Sequence, residues 1–183
     1  MVTTGTLIYL LCALFMVQDP ATQTPRTYQI HDEQHLKTVL TEVVEVKGIR
    51  NLQSPNFPAD FEVEVKNISQ RPIYMIYIVA ILPVSSARFG QPFGFSLSLG
   101  ERMLGVDGHA KPEDVPLNPG ETACLKVEDA SGSGLRKYLE NNLGPAGTEE
   151  MLRKVSLYFQ IISFGDGTGY QVGDPYPTRR APQ

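Results

Sequence analysis

The amino-acid sequence predicts a mainly β domain: an antiparallel β-sandwich with a short helical insertion before its last two strands. Three observations carry that prediction. Residues 61–66 and 121–128 alternate apolar and polar side chains, the period of a strand with one face buried. Residues 73–82 and 155–164 are long runs of β-branched and aromatic residues, apolar on both faces, which places each at the centre of a sheet covered on both sides. The 16 Gly and 14 Pro among 183 residues suit short strands joined by tight turns better than a helical bundle.

The chain opens with a continuous apolar run at residues 7–17 (LIYLLCALFMV), closed by Gln18, Asp19 and Pro20 and followed by a polar linker to Pro25. The run falls short of the roughly 20 residues that span a bilayer and fits the apolar region of a signal peptide. No Lys or Arg precedes it and no small-x-small site follows it, so an uncleaved anchor is the alternative. Leu11 stands where a lipobox carries Gly or Ala, which argues against lipid attachment at Cys12. The expectation is an exported chain, periplasmic or extracellular, or membrane-anchored if the run is retained. With Cys12 removed, Cys124 is a lone thiol and the domain relies on its core, as bacterial exported domains of this size do. The expected organisation is a signal peptide or N-terminal anchor with polar linker at 1–25, a lead-in at 26–40, the sandwich at 41–174 with a helical insertion at about 133–152, and a flexible tail at 175–183.

Each element has its own signal. Leu36, Val39, Leu40 and Val43 have helical spacing, so residues 27–40 read as a short helix or irregular lead-in before a first strand near 42–51, which Pro55 and Pro58 end. Phe61, Val63 and Val65 face inward on the next strand, and residues 67–72 form a polar turn into the run at 73–82. Weak strands are expected at 94–99 and around Met103. After the turn at Pro119 and Gly120, Ala123, Leu125 and Val127 face in while Cys124 shares the other face with Thr122 and Lys126. Leu135, Tyr138, Leu139 and Leu143 recur at helical spacing until Gly144 and Pro145 stop the helix, and residues 148–150 cap a second short turn. On the last long strand Val155, Leu157, Phe159 and Ile161 line one face, with Tyr158, Ile162 and Phe164 on the other. The glycines of residues 165–169 make a hairpin turn, and Tyr170 begins the return strand. The two doubly apolar strands are expected to be neighbours, with the helix laid across their outer face.

The pattern Phe61-x-Val63-x-Val65-x-Asn67-x-Ser69, a long apolar strand, and then Leu117-x-Pro119-Gly120-Glu121 resembles bacterial extracellular immunoglobulin-like modules of the cell-adhesion-related class. The match covers about a third of the chain, roughly residues 60–128, and a Gly/Ser turn and helix follow where those modules run on to their last strands. The resemblance implies an immunoglobulin-like sandwich without catalytic residues. Residues 163–168 (SFGDGT) resemble the F-G-D-G element of polycystic-kidney-disease-type repeats, which implies shared turn chemistry. Taken whole, the chain is similar to exported proteins of environmental bacteria.

A net charge of -4 without a basic stripe argues against nucleic acid as a partner. His31-Asp-Glu-Gln-His35 has the spacing of a zinc-protease helix, but Asp32 stands in place of the catalytic Glu and no third histidine follows at metzincin spacing. Asp107, Glu113, Asp114, Asp129 and Asp166 sit in loops without a calcium-cage pattern, and Asp166 reads as a turn residue. Neither a nucleophile elbow nor a phosphate-binding loop is present in the sequence, and Cys124 sits mid-strand without a histidine nearby. No catalytic residue, metal ligand or cofactor is therefore assigned. Tyr74, Tyr77, Tyr158 and Tyr170, on the two central strands or their hairpin, form the candidate interaction surface. The expected function is a non-catalytic module that contacts an unknown protein partner in the bacterial envelope or outside the cell, with a membrane partner only if the N-terminal run is an anchor. The alternative is a ligand-binding or hydrolytic accessory protein for polysaccharide or metal.

Overall fold

In the computed structural model, the described residues are 24–31, 39–83, 93–100, 104–127, 129–171 and 174–176. The N-terminal apolar run, His35, the expected strand around Met103 and the last residues of the tail lie outside them. The strands are β1 (Thr27–Ile30), β2 (Val44–Arg50), β3 (Glu62–Asn67), β4 (Met75–Ile81), β5 (Gly94–Leu99), β6 (Thr122–Val127), β7 (Lys154–Ser163), β8 (Gly169–Gln171) and β9 (Asp174–Tyr176). One helix, α1 (Asp129–Met151), precedes β7, and a π-helical turn (Val39–Val43) leads into β2.

The strands form one curled sheet in the order β2-β3-β6-β5-β4-β7-β8-β9, with β1 beside β7. Every pairing is antiparallel except β1 with β7, so the sheet is mixed. The curl has its weak point at β5, which pairs with β4 along its length but meets β6 only across Leu97 with Val127 and Ser98 with Lys126. The halves on either side, β2-β3-β6 and β4-β7-β8, send their buried residues into a common core. Val63, Val65 and Leu125 from one half join Ile76, Ile78, Leu157 and Phe159 from the other. Phe57, Phe61 and Phe95 meet edge to face at centroid distances of 5.4 to 5.9 Å and close one end of that core, a geometry that adds to the burial itself.

The expected central pair is present, because β4 and β7 are antiparallel neighbours from Met75 opposite Ser163 to Ile81 opposite Ser156. Three other expectations are corrected. First, Thr27–Ile30 is a strand rather than a lead-in, laid parallel on the N-terminal half of β7. Second, the faces of β7 do not alternate throughout. Tyr77 pairs with Ile161 but Ile78 pairs with Phe159, so Gln160 is an extra residue, a β-bulge. Beyond it Ile161 turns to the half-exposed face and Ile162 to the core. Third, α1 lies elsewhere. It packs against β5, and Leu139, fully buried, joins the core cluster of Phe57, Phe61 and Phe95. The loop carrying Phe57 and Phe61 leaves an apolar end to the core that the helix closes, so the outer faces of β4 and β7 are not its seat.

The helix breaks where the sequence places its stop. Gly144 has φ 69° and ψ 175°, a region open essentially to glycine, and Pro145 begins a second helical stretch. Thr148, fully buried, donates its hydroxyl to the Gly144 carbonyl at 2.9 Å. At the other end of the chain, Asp174–Tyr176 adds a strand to β8, where a free tail from Pro175 was expected.

Candidate functional site

The two outer faces of the curled sheet differ in chemistry. On β2-β3-β6 the face is ionic. Arg50 meets Glu64 at 2.6 Å and Lys126 meets Glu62 at 3.4 Å, with Cys124 opposite Glu64. On β5-β4-β7 the register builds rows of Ser98, Tyr77 and Ile161, then Ser96, Val79 and Tyr158, then Gly94, Ile81 and Ser156. Tyr77, Val79, Ile81, Tyr158 and Ile161 are all half-buried, and none of these residues carries a charge. His31 stacks on Tyr158 with centroids 4.2 Å apart, and Gln29 donates to the Ser156 hydroxyl at 2.9 Å, so β1 borders the patch on one side.

The four tyrosines named from the sequence therefore separate into two pairs. Tyr77 and Tyr158 share this face. Tyr74 and Tyr170 sit at the hairpin end. Tyr74 abuts Gly165, and Tyr170 lies edge-on to buried Phe164 at 6.2 Å. Val79, Ile81 and Ile161 complete the patch and were missed. Val79 read as core in a run apolar on both faces, and Ile161 was assigned to the wrong face because a bulge leaves no mark in the residue pattern.

The hairpin end is a tied turn. Arg71 Nη2 donates to Asp166 Oδ2 and to Thr168 Oγ1, both at 2.6 Å, and its guanidinium lies 3.8 Å over the Phe164 ring. Asp166 Oδ1 accepts from the Thr168 hydroxyl and backbone N–H. The Thr168 hydrogen bond, followed by the charge of Arg71, holds the Asp166 carboxyl below the ordinary carboxylate range despite some desolvation. Both its oxygens are thus committed to the turn. Gly165 and Gly167 have φ of 70° and 80°, and Gly165 fits between Tyr74 and Ala110 where a Cβ would not. His109 pairs with Asp166 as an isolated bridge. Among the described residues no three His, Cys, Asp or Glu side chains gather as a metal site.

Two of the open clefts among the described residues flank the sheet. One, of about 440 Å³, lies where β5 and β6 part and is lined by Tyr74, Leu99, Leu104, Val115, Pro116 and Ala123. Val115 on its rim is 77 % exposed. The other, of about 720 Å³, lies between the 55–60 loop and α1, with Asp60, Arg136, Lys137 and Glu140 on its walls. Asp60 accepts the Ser54 hydroxyl through Oδ2, while its buried Oδ1 has no hydrogen-bond partner.

Beside that cleft a charged cluster joins three parts of the chain. Glu149 receives Arg26 Nη2 at 2.6 Å on one oxygen and Arg136 Nη2 at 2.5 Å on the other. Burial alone would raise the Glu149 carboxyl, but the hydrogen bonds and charges of the two arginines outweigh it and hold the group below its ordinary range. Arg136 also donates to the Phe57 carbonyl, so α1, the 51–60 loop and the chain entering β1 share one clamp. No protein-family model matches the chain, and neither a curated protein nor a solved structure matches it.

Proposed function

We propose that the chain is a non-catalytic, exported module of the bacterial envelope or extracellular space, an immunoglobulin-like sandwich that contacts a protein partner through the outer face of β4 and β7. The observation that carries this reading is the contrast between the two outer faces. One is laced with ion pairs; the other presents Tyr77, Val79, Ile81, Tyr158 and Ile161 half-exposed on adjacent central strands. Uncharged aromatic and aliphatic side chains on rigid strands are what the centre of a protein interface uses. The division of the curled sheet at β5 supports the sandwich, with β2-β3-β6 and β4-β7-β8 as its two layers over one core.

The sheet ends favour face-to-face contact over strand addition. β2, at one end, carries a bulge at Lys47 and the Lys47 to Glu45 ion pair at 3.0 Å, and β9, at the other, is three residues long with a proline. Bulges, charges and prolines on edges discourage pairing with another chain. The test is photocrosslinking in the cells that naturally make the protein, with a benzoyl-phenylalanine at position 79 or at position 47. The expected result is a discrete cross-linked protein from position 79 and none from position 47. Equal capture from both positions, or none from position 79, would sink the proposal.

A second reading, a module for a polar ligand, rests on the cleft of about 720 Å³ beside α1. Its walls mix acids with bases, and no aromatic side chain among its described lining residues offers a platform for a sugar ring. The β4-β7 face has the stronger support.

A further inference from the structure

β1 is held in an unusual way. Thr27, Tyr28 and Gln29 are exposed, Tyr28 at 45 %, and of the four residues only Ile30 packs against the core, so limited apolar burial retains the strand. Besides the Gln29 bond to Ser156 and the His31 stack on Tyr158, its attachment rests on the parallel ladder to Lys154–Leu157 and on Arg26 just ahead of it. The Arg26 side chain is only 9 % exposed. Nη1 donates to the Leu52 and Ser54 carbonyls at 3.2 and 2.8 Å, Nη2 to Glu149 at 2.6 Å, and the guanidinium lies 5.1 Å from the Phe57 ring centroid. The backbone of Arg26 exchanges two hydrogen bonds with the Gln53 amide, at 2.9 and 2.7 Å. A ladder that supplies affinity and one pocket that reads one side chain is how an added strand ligand is recognised.

We propose that residues 26–30 form an exchangeable strap, a strand ligand that the chain supplies to itself, and that the site on β7 with its Arg26 socket takes the same strap from a second copy. The socket fits this occupant because the second copy brings the same arginine in the same register. Losing Arg26 leaves two carbonyls and half of the Glu149 charge without their partner, so an emptied socket favours refilling. Exchange of an identical element needs no contact that the single chain does not already make.

The test pairs two full-length variants. Arg26→Ala keeps the socket and lacks the key; Glu149→Ala keeps the key and spoils the socket. Each alone is expected to sediment as a single chain. An equimolar mixture is expected to show a two-chain species, the intact strap of one copy seated in the intact socket of the other. A mixture that sediments as the sum of its parts, with both variants folded by circular dichroism, would overturn the proposal. If either variant does not fold, amide exchange on the unaltered chain decides. The amides of Thr27 and His31, bonded to Arg153 and Leu157 at 2.8 and 2.9 Å, must exchange well ahead of the β4-β7 ladder. Exchange together with that ladder would show that the strap never leaves.

Discussion

Asn67 shows how a residue that stands out in the sequence takes its role from the fold. It stands in a glycosylation pattern, Asn67-Ile68-Ser69, and at the end of the V-x-V-x-N-x-S element. The structure buries it completely and uses its whole amide. Nδ2 donates to the Arg71 and Leu117 carbonyls, both at 2.8 Å, and Oδ1 accepts from the Ser69 N–H and hydroxyl at 3.0 and 2.8 Å. Its backbone N–H and carbonyl reach Glu121 and Gly120, so one residue ties the turn after β3 to the turn before β6. The asparagine of this element staples two turns together. Asn67→Ala removes one of the two donors to the buried Leu117 carbonyl, leaving the Ile73 N–H, and takes the acceptor from the Ser69 N–H. The expected cost is about 2 to 3 kcal/mol, read as a lower urea midpoint with an unchanged slope. An unaltered midpoint would mean that water replaces the amide without loss.

At the scale of elements, the strands were legible wherever one face is buried. β3 and β6 follow their alternation, with Val63, Val65, Leu125 and Val127 inside. The helix stop was legible too, since Gly144 takes the backbone conformation that glycine alone accepts readily. Gly144→Ala is accordingly expected to cost about 1 to 3 kcal/mol. Gly134→Ala, at an exposed helical position with nothing within 4 Å of the new Cβ, is expected to gain about 0.5 to 1 kcal/mol. Thermal melts of the two variants that shift in the same direction would contradict the break. What stayed hidden depends on partners distant in sequence. β1 is a four-residue strand whose exposed side chains give no periodic signal, and it exists because the edge of β7 and the Arg26 socket receive it. The bulge at Gln160 comes from the fit of β7 to β4. The seat of α1 depends on Phe57 and Phe61, which read as loop and strand start and proved to be the floor of the helix site.

At the scale of the molecule, the sheet's two halves divide the labour of the surface. The outer face of β2-β3-β6 is laced with ion pairs, and that of β4-β7 presents partly buried aromatic and aliphatic side chains, the surface proposed to meet a partner. The candidate surface was half legible. Tyr77 and Tyr158 were placed together by the expectation that two doubly apolar strands are neighbours, whereas Tyr74, just ahead of β4, and Tyr170, within β8 beside Phe164, belong to the hairpin end. The clamp of Arg26, Glu149 and Arg136 adds a constraint of its own. Any processing that leaves the fold whole must cut ahead of Arg26, within or before the polar linker that ends at Pro25.

Export is the premise of the proposed function, and it has a direct test: intact mass and cell fractionation of the full-length chain expressed in a Gram-negative host. The predicted result is a periplasmic product shortened by roughly 20 residues, with Arg26 retained and Cys124 labelled by a thiol reagent after unfolding. An uncut product, soluble in the cytoplasm, would contradict it and remove the envelope partner with it.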